Sequence, residues 1–150
     1  MFKRILVAVD GSPTSTQALA MATRLAREGG GRLRLLHAFD ALAYLSGYEV
    51  GAAVFDAARG YATRVLDEAQ LVADAAGVQA DKRLADKAGE RLGDAVAHAA
   101  LEWDADLVVV GTHGRRGVDR VLLGSGAEQV IRMCPVPVLS VRGEAKQPAH

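Results

Sequence analysis

The sequence predicts an α/β fold: a single Rossmann-like domain with a five-stranded parallel sheet and helices on both faces. Three observations predict it. Apolar runs that read as strands alternate with segments of helical periodicity, in the order βαβαβαβαβ, and this alternation builds parallel sheets. Two runs, Ile5-Leu6-Val7-Ala8-Val9 and Leu107-Val108-Val109-Val110, are unbroken, as in strands covered on both sides. The chain has 150 residues, 50% of them hydrophobic, which suits one domain around one core.

The first strand, Ile5 to Val9, is stopped by Asp10-Gly11-Ser12-Pro13. Ser12 is a good N-cap and Pro13 suits the first helical position, so a helix starts there. Ala18, Leu19, Ala22, Leu25 and Ala26 recur at helical spacing until Gly29-Gly30-Gly31 ends it. Leu33 to Phe39 reads as the second strand. Residues 40 to about 52 are irregular, and a long amphipathic helix runs from about Val54 to Ala76, closed by Gly77. Val78, Ala80, Lys82 and Leu84 alternate as a third strand at a sheet edge. A helix follows from about Leu92 to Trp103, then the strand Leu107 to Val110. After a long loop come a short helix, Ser125 to Met133, and a last strand, Val138 to Val141, entered through Pro135 and Pro137. The domain is expected over 1–142, with 143–150 a polar, flexible tail.

Lys plus Arg number 18, as do Asp plus Glu, so the formal net charge is zero. A general affinity for nucleic acid or anionic membrane needs a basic excess and is not expected. With Cys134 the one cysteine, no intramolecular disulfide can form. The first apolar run is too short for a signal peptide, and no run approaches the roughly 20 apolar residues of a membrane span. A cytoplasmic location is the expectation.

Ligands of open parallel sheets bind beyond the carboxyl ends of the strands. Two loops should lie there: Asp10-Gly11-Ser12, and the segment from Gly111-Thr112-His113-Gly114-Arg115-Arg116-Gly117 to Gly124-Ser125-Gly126-Ala127. Glycines let the backbone turn tightly and approach a ligand. Gly124-Ser125-Gly126 opens a helix whose free N–H groups favour an anion, and Arg115, Arg116 and Arg120 add positive charge. This describes a phosphate cradle; a loop that needs glycine only for turning is the other reading. There is no G-x-x-x-x-G-K-[ST], so a P-loop NTPase is not expected, and no G-x-G-x-x-G after the first strand, so neither is a Rossmann dehydrogenase.

Gly111-x2-Gly114-x9-Gly124-Ser125 matches the G-x2-G-x9-G-[ST] signature of the universal stress protein family. The chain resembles that family over nearly its whole length. The opening Ile5 to Ser12, Leu36-His37-Ala38, Val108 to Gly114, Leu122 to Ser125 and Cys134 to Leu139 occur in the family's order. The resemblance implies an adenine nucleotide alpha hydrolase-like domain that binds ATP, with or without Mg2+. It implies that Ala8 and Asp10 lie by the nucleoside, backbone at Ala38 by the adenine, and Val110 and Gly111 by the ribose. It places His113, Gly114, Arg115, Gly124 and Ser125 around the phosphates. Many ATP-binding members follow Gly-Ser with an apolar residue and then a Ser or Thr. Here Gly126 and Ala127 stand in those places, and one phosphate donor is missing.

Other residues have plain readings. Asp10 either meets nucleotide or braces the first turn, and His113 is either a ligand contact or an ordinary loop residue. His37 reads as a packed core residue, Cys134 as a small packed one, and Trp103 as closing its helix. No histidines, cysteines or carboxylates have metal-ligand spacing. Asp10 is the one evident carboxylate at the expected site, so binding with little or no turnover is the primary reading; a slow ATPase or other adenine-nucleotide hydrolase, and a non-nucleotide scaffold, are the alternatives. Pairing of two copies through the last strand is expected from its apolar Val136, Val138, Leu139 and Val141. An unidentified protein partner stays open.

Overall fold

A computed structural model describes residues 1–39, 52–87, 89–112 and 125–143. The strands are β1 (Arg4–Ala8), β2 (Arg32–Ala38), β3 (Ala80–Ala85), β4 (Leu107–Gly111) and β5 (Val138–Val141). The helices are α1 (Pro13–Gly29), α2 (Ala52–Ala75), α3 (Leu92–Trp103) and α4 (Ser125–Met133). The five strands form one parallel sheet in the order β3-β2-β1-β4-β5. The chain builds outward from β1 to β3, then crosses over through α3 to β4 on the other side of β1. The expected class, element order and edge positions of β3 and β5 are all found.

Successive strand residues face opposite sides of a sheet, and this splits the core in two. Ile5, Val7, Leu33, Leu35, Leu107 and Val109 pack with Ala18, Leu19 and Ala22 of α1 and with Val65, Leu66 and Ala69 of α2. Leu6, Leu36, Val108 and Val110 pack on the other side with Val96 and Ala99 of α3 and with Ala127 and Val130 of α4. Ile5, Leu6, Val7, Val108 and Val109 are wholly buried. Burying a side chain of this size stabilises by about 1.5–3 kcal/mol.

The helix boundaries follow local chemistry. The Ser12 side chain accepts from Ser15 N at 3.2 Å, Pro13 begins α1, and Gly30 closes it in the left-handed region at φ 67°. β3 begins two residues later than the alternation predicts, because the Val78 amide donates to Ala73 O and closes α2 instead. Trp103 is buried beneath three guanidinium groups, with Arg4, Arg34 and Arg32 at 4.7, 4.9 and 5.9 Å from its ring centroid. Arg4 Nε also donates to Trp103 O at 2.7 Å, so cation–π and hydrogen-bond contacts fasten α3 to the amino ends of β1 and β2.

Candidate functional site

At the carboxyl end of β1 the turn into α1 is held from three directions. Asp10 N donates to Ser15 Oγ at 2.9 Å, and Ser12 N donates to Asp10 Oδ1 at 2.9 Å. Tyr61 of α2 donates its hydroxyl hydrogen to Asp10 O at 3.1 Å. Gly11 has φ 82°, and a Cβ there would fall 2.6 Å from the Tyr61 hydroxyl oxygen, so position 11 rejects a side chain on both backbone and steric grounds. Asp10 therefore braces the turn, with one carboxylate oxygen already committed.

His37 is buried at the end of β2, and its Nδ1 lies 2.7 Å from Val9 O. A carbonyl only accepts, so Nδ1 carries a hydrogen and donates it. The ring meets Tyr61 edge-on at 6.4 Å. The packed-core reading of His37 holds, and it joins the β1 and β2 ends to α2.

At the end of β4, a Cβ on Gly111 would come 2.9 Å from the carbonyl carbon and oxygen of Thr14. The first turn of α1 thus presses against the backbone at Gly111, a reason for glycine independent of any ligand. The next residue, Thr112, donates its amide to Val141 O at 3.0 Å. Its hydroxyl is buried and has no hydrogen-bond partner among the described residues.

A pocket of about 320 Å³ opens at this carboxyl edge, between the ends of β2 and β3 and the starts of α3 and α4. Ala38, Ala85 and Ala95 line it with small side chains, beside Phe39 and Leu92. Lys87 and Arg91 are exposed at its mouth, and Glu90 is half-buried. From α4 come Gly126 and Gln129. A Cβ on Gly126 would come 2.7 Å from Leu92 Cδ2, so the missing side chain lets α3 and α4 close on each other beneath the pocket. Gly93 serves the same packing, since a Cβ there would lie 2.8 Å from Gln129 Cβ.

Of the residues picked from sequence, Ala38 and Gly126 meet in this pocket. Ala8, Val110 and Ala127 lie on the same side of the sheet, packed in the core that α3 and α4 cover. Ala127 is buried there, so the place of the missing hydroxyl is filled by core packing. Asp10 and Gly111 stand on neighbouring strand ends. Ser125 begins α4. His113, Gly114, Arg115 and Gly124 lie outside the described residues. Sequence reasoning missed Lys87, Glu90, Arg91 and Leu92 on the β3 side and Gln129 on α4. The signal was available, since the loop after β3 reaches the same edge as the loops after β1 and β4. Among the described residues no group of three side chains could hold a metal ion, and no helix is long and apolar enough to cross a membrane.

Comparison with known proteins adds independent findings. The family model described as "Universal stress protein family" matches residues 1–142. A putative universal stress protein of Staphylococcus aureus is 34% identical over 145 residues, 95% of this chain and 86% of that protein. A universal stress family protein from Burkholderia pseudomallei is similar in structure, with TM-score 0.76 and 34% identity over 93% of this chain and 95% of that one. A universal stress protein solved in complex with cAMP is similar with TM-score 0.66 and 28% identity, covering 93% and 96%.

Proposed function

The chain belongs to the universal stress protein family, and we propose that it binds an adenine nucleotide, ATP foremost, at the carboxyl edge of its sheet. The observation that carries this reading is the position of the pocket. It is bounded by Ala38 at the end of β2 and by Gly126 in the first turn of α4. The glycine-rich segment therefore starts at Gly111, pressed against α1, and ends at Ser125, beside the pocket. A base held by apolar walls and backbone at Ala38 would lie beside the first turn of α4, and the residue types of Gly114, Arg115, Gly124 and Ser125 suit an anion. The cAMP-bound relative supports an adenine ligand.

The protein acts as a nucleotide-responsive module with little or no turnover. Fast hydrolysis needs a positioned water and a group to orient it. Asp10 already holds the Ser12 amide and Glu90 already pairs with His98. We also infer a cytoplasmic homodimer joined through β5. Identifying the nucleotide released when freshly purified protein is denatured tests the reading, alongside calorimetry with ATP, ADP, AMP and cAMP. The expected result is tight adenine-nucleotide binding that Gly114→Val weakens without unfolding the chain. No released nucleotide and no heat with any of the four would overturn it.

A further inference from the structure

The amino edge of the sheet, the end opposite the pocket, gathers positive charge on one face. Arg4 of β1 and Arg32 of β2 are partners in register, and Arg34 follows two residues along, so the three side chains leave the sheet on the same side. Their guanidinium carbons lie 4.7, 5.9 and 4.9 Å from the Trp103 ring centroid. Like charges gathered this closely repel one another, and nearby carboxylates offset only part of that repulsion. Arg34 gives Nε and one terminal nitrogen to Asp81 at 2.7 and 3.0 Å. Glu102 is taken by Arg83, and the Asp106 carboxylate accepts from the amides of Lys3 and Arg4. Among the described residues neither the Arg4 nor the Arg32 guanidinium has a carboxylate partner. Arg4 commits Nε to Trp103 O and keeps both terminal nitrogens, while Arg32 is exposed and keeps all its N–H donors.

We propose that this face binds an oxyanion of the phosphate class, bridged between the Arg4 and Arg32 guanidinium groups. Neighbouring strands lie about 4.8 Å apart, so two arginines in register start from adjacent points and can converge on one small ion. A guanidinium grips an oxyanion through two parallel N–H bonds. One such fork occupies both oxygens of a carboxylate, whereas a phosphate has further oxygens and accepts from two arginines at once. Phosphate therefore fits the pair better than carboxylate or halide. The inference is independent of the adenine-nucleotide reading. α3 runs from Leu92 at the pocket to Trp103 here, and helical rise sets those ends roughly 16 Å apart. The zero net charge of the chain does not oppose it, because the two forks act at contact distance and not through a long-range field.

Trp103 is the one tryptophan of the chain, so its emission reports on this face alone. The test titrates nucleotide-free protein with inorganic phosphate, and with sodium chloride and sodium acetate at matched ionic strength. Phosphate should change the emission saturably, and the other two salts should not. Arg32→Gln should raise the phosphate midpoint by about tenfold or more. Arg32→Lys should restore only part of the affinity, because an ammonium keeps the charge and lacks the fork. Arg32 is exposed and makes no hydrogen bond among the described residues, so neither change endangers the fold. Arg24→Gln removes the same charge from α1 and should leave the midpoint unchanged. Equal responses to the three salts would mean screening only and overturn the site. A phosphate midpoint shared by wild type and Arg32→Gln overturns it too, as does the lack of any saturable change in emission or in calorimetric heat. None of these outcomes touches nucleotide binding at the pocket. The Gly114→Val variant should keep the Trp103 response, and its loss there would assign the phosphate to the glycine-rich segment and overturn the amino-edge site.

Discussion

His37 Nδ1 and the carbonyl oxygen of Val9, 2.7 Å apart, tie the ends of two neighbouring strands together below the pocket edge. The bond is buried, so its loss leaves a carbonyl unpaired. His37→Leu should lower unfolding free energy by about 1–3 kcal/mol, read from the urea midpoint at unchanged slope. A midpoint equal to wild type would mean that the bond contributes nothing net.

Gly111 and Gly126 should respond differently to alanine. At Gly111 the new Cβ meets the backbone of Thr14, which cannot move without α1, whereas at Gly126 it meets the end of the Leu92 side chain. Gly111→Ala should cost about 1–3 kcal/mol by overpacking, and Gly126→Ala clearly less. Thermal melts of the two variants side by side check the order.

Thr112→Val removes a buried hydroxyl that has no partner among the described residues. Replacing such a group by an apolar one of the same shape is neutral or stabilising. The ligand-free variant should melt no lower than wild type. A drop of several degrees would reveal a partner for the hydroxyl.

Turnover of ATP should stay below about 1 s⁻¹. A phosphate-release assay on protein free of contaminating ATPases measures it. A faster rate that disappears in Asp10→Asn would show that the braced aspartate is catalytic after all.

The edge strand β5 gives an assembly prediction. The carbonyls of Pro137, just before it, and of Val141 accept from the amides of Val108 in β4 and of Thr112 just after it, so by alternation the amides of Val138 and Ser140 point away from β4. Leu139 and Val141 pack into the chain's own core, which makes them poor reporters of an interface. Ser140 is exposed, and Ser140→Pro removes one outward donor while sparing the β4 ladder. Light scattering at micromolar concentration should give about twice the chain mass for wild type and one chain mass for the variant. A one-chain wild type removes edge pairing from the account.

The fold was legible because strong local signals agreed with one another. Ser12-Pro13 set the start of α1 as capping chemistry requires, and the unbroken runs at Ile5 and Leu107 became central strands. The β3 boundary was not legible, because Val78 looks like an alternating strand residue while its amide finishes α2. The pocket was half legible. Ala38 came from the family resemblance and Gly126 from the glycine loop, but Glu90, Arg91 and Gln129 converge only through the packing of α3 on α4. That packing depends on Gly93 and Gly126 fitting Gln129 and Leu92, a relationship between distant positions that no local pattern carries. The same holds for Trp103, whose arginine neighbours come from two different strands.

The strand order has a consequence for synthesis. β1 leaves the ribosome first yet ends as the middle strand, between β2 and β4. Its β2 side can pair early, with Leu33 to Leu36 following closely, but its β4 side waits for residues 107–111. Throughout that interval a nascent chain carries Ile5, Leu6 and Val7 on an open strand edge, the kind of surface that joins other chains. The crossover through α3 thus makes the emergence of β4 the moment at which β1 ceases to be an open edge.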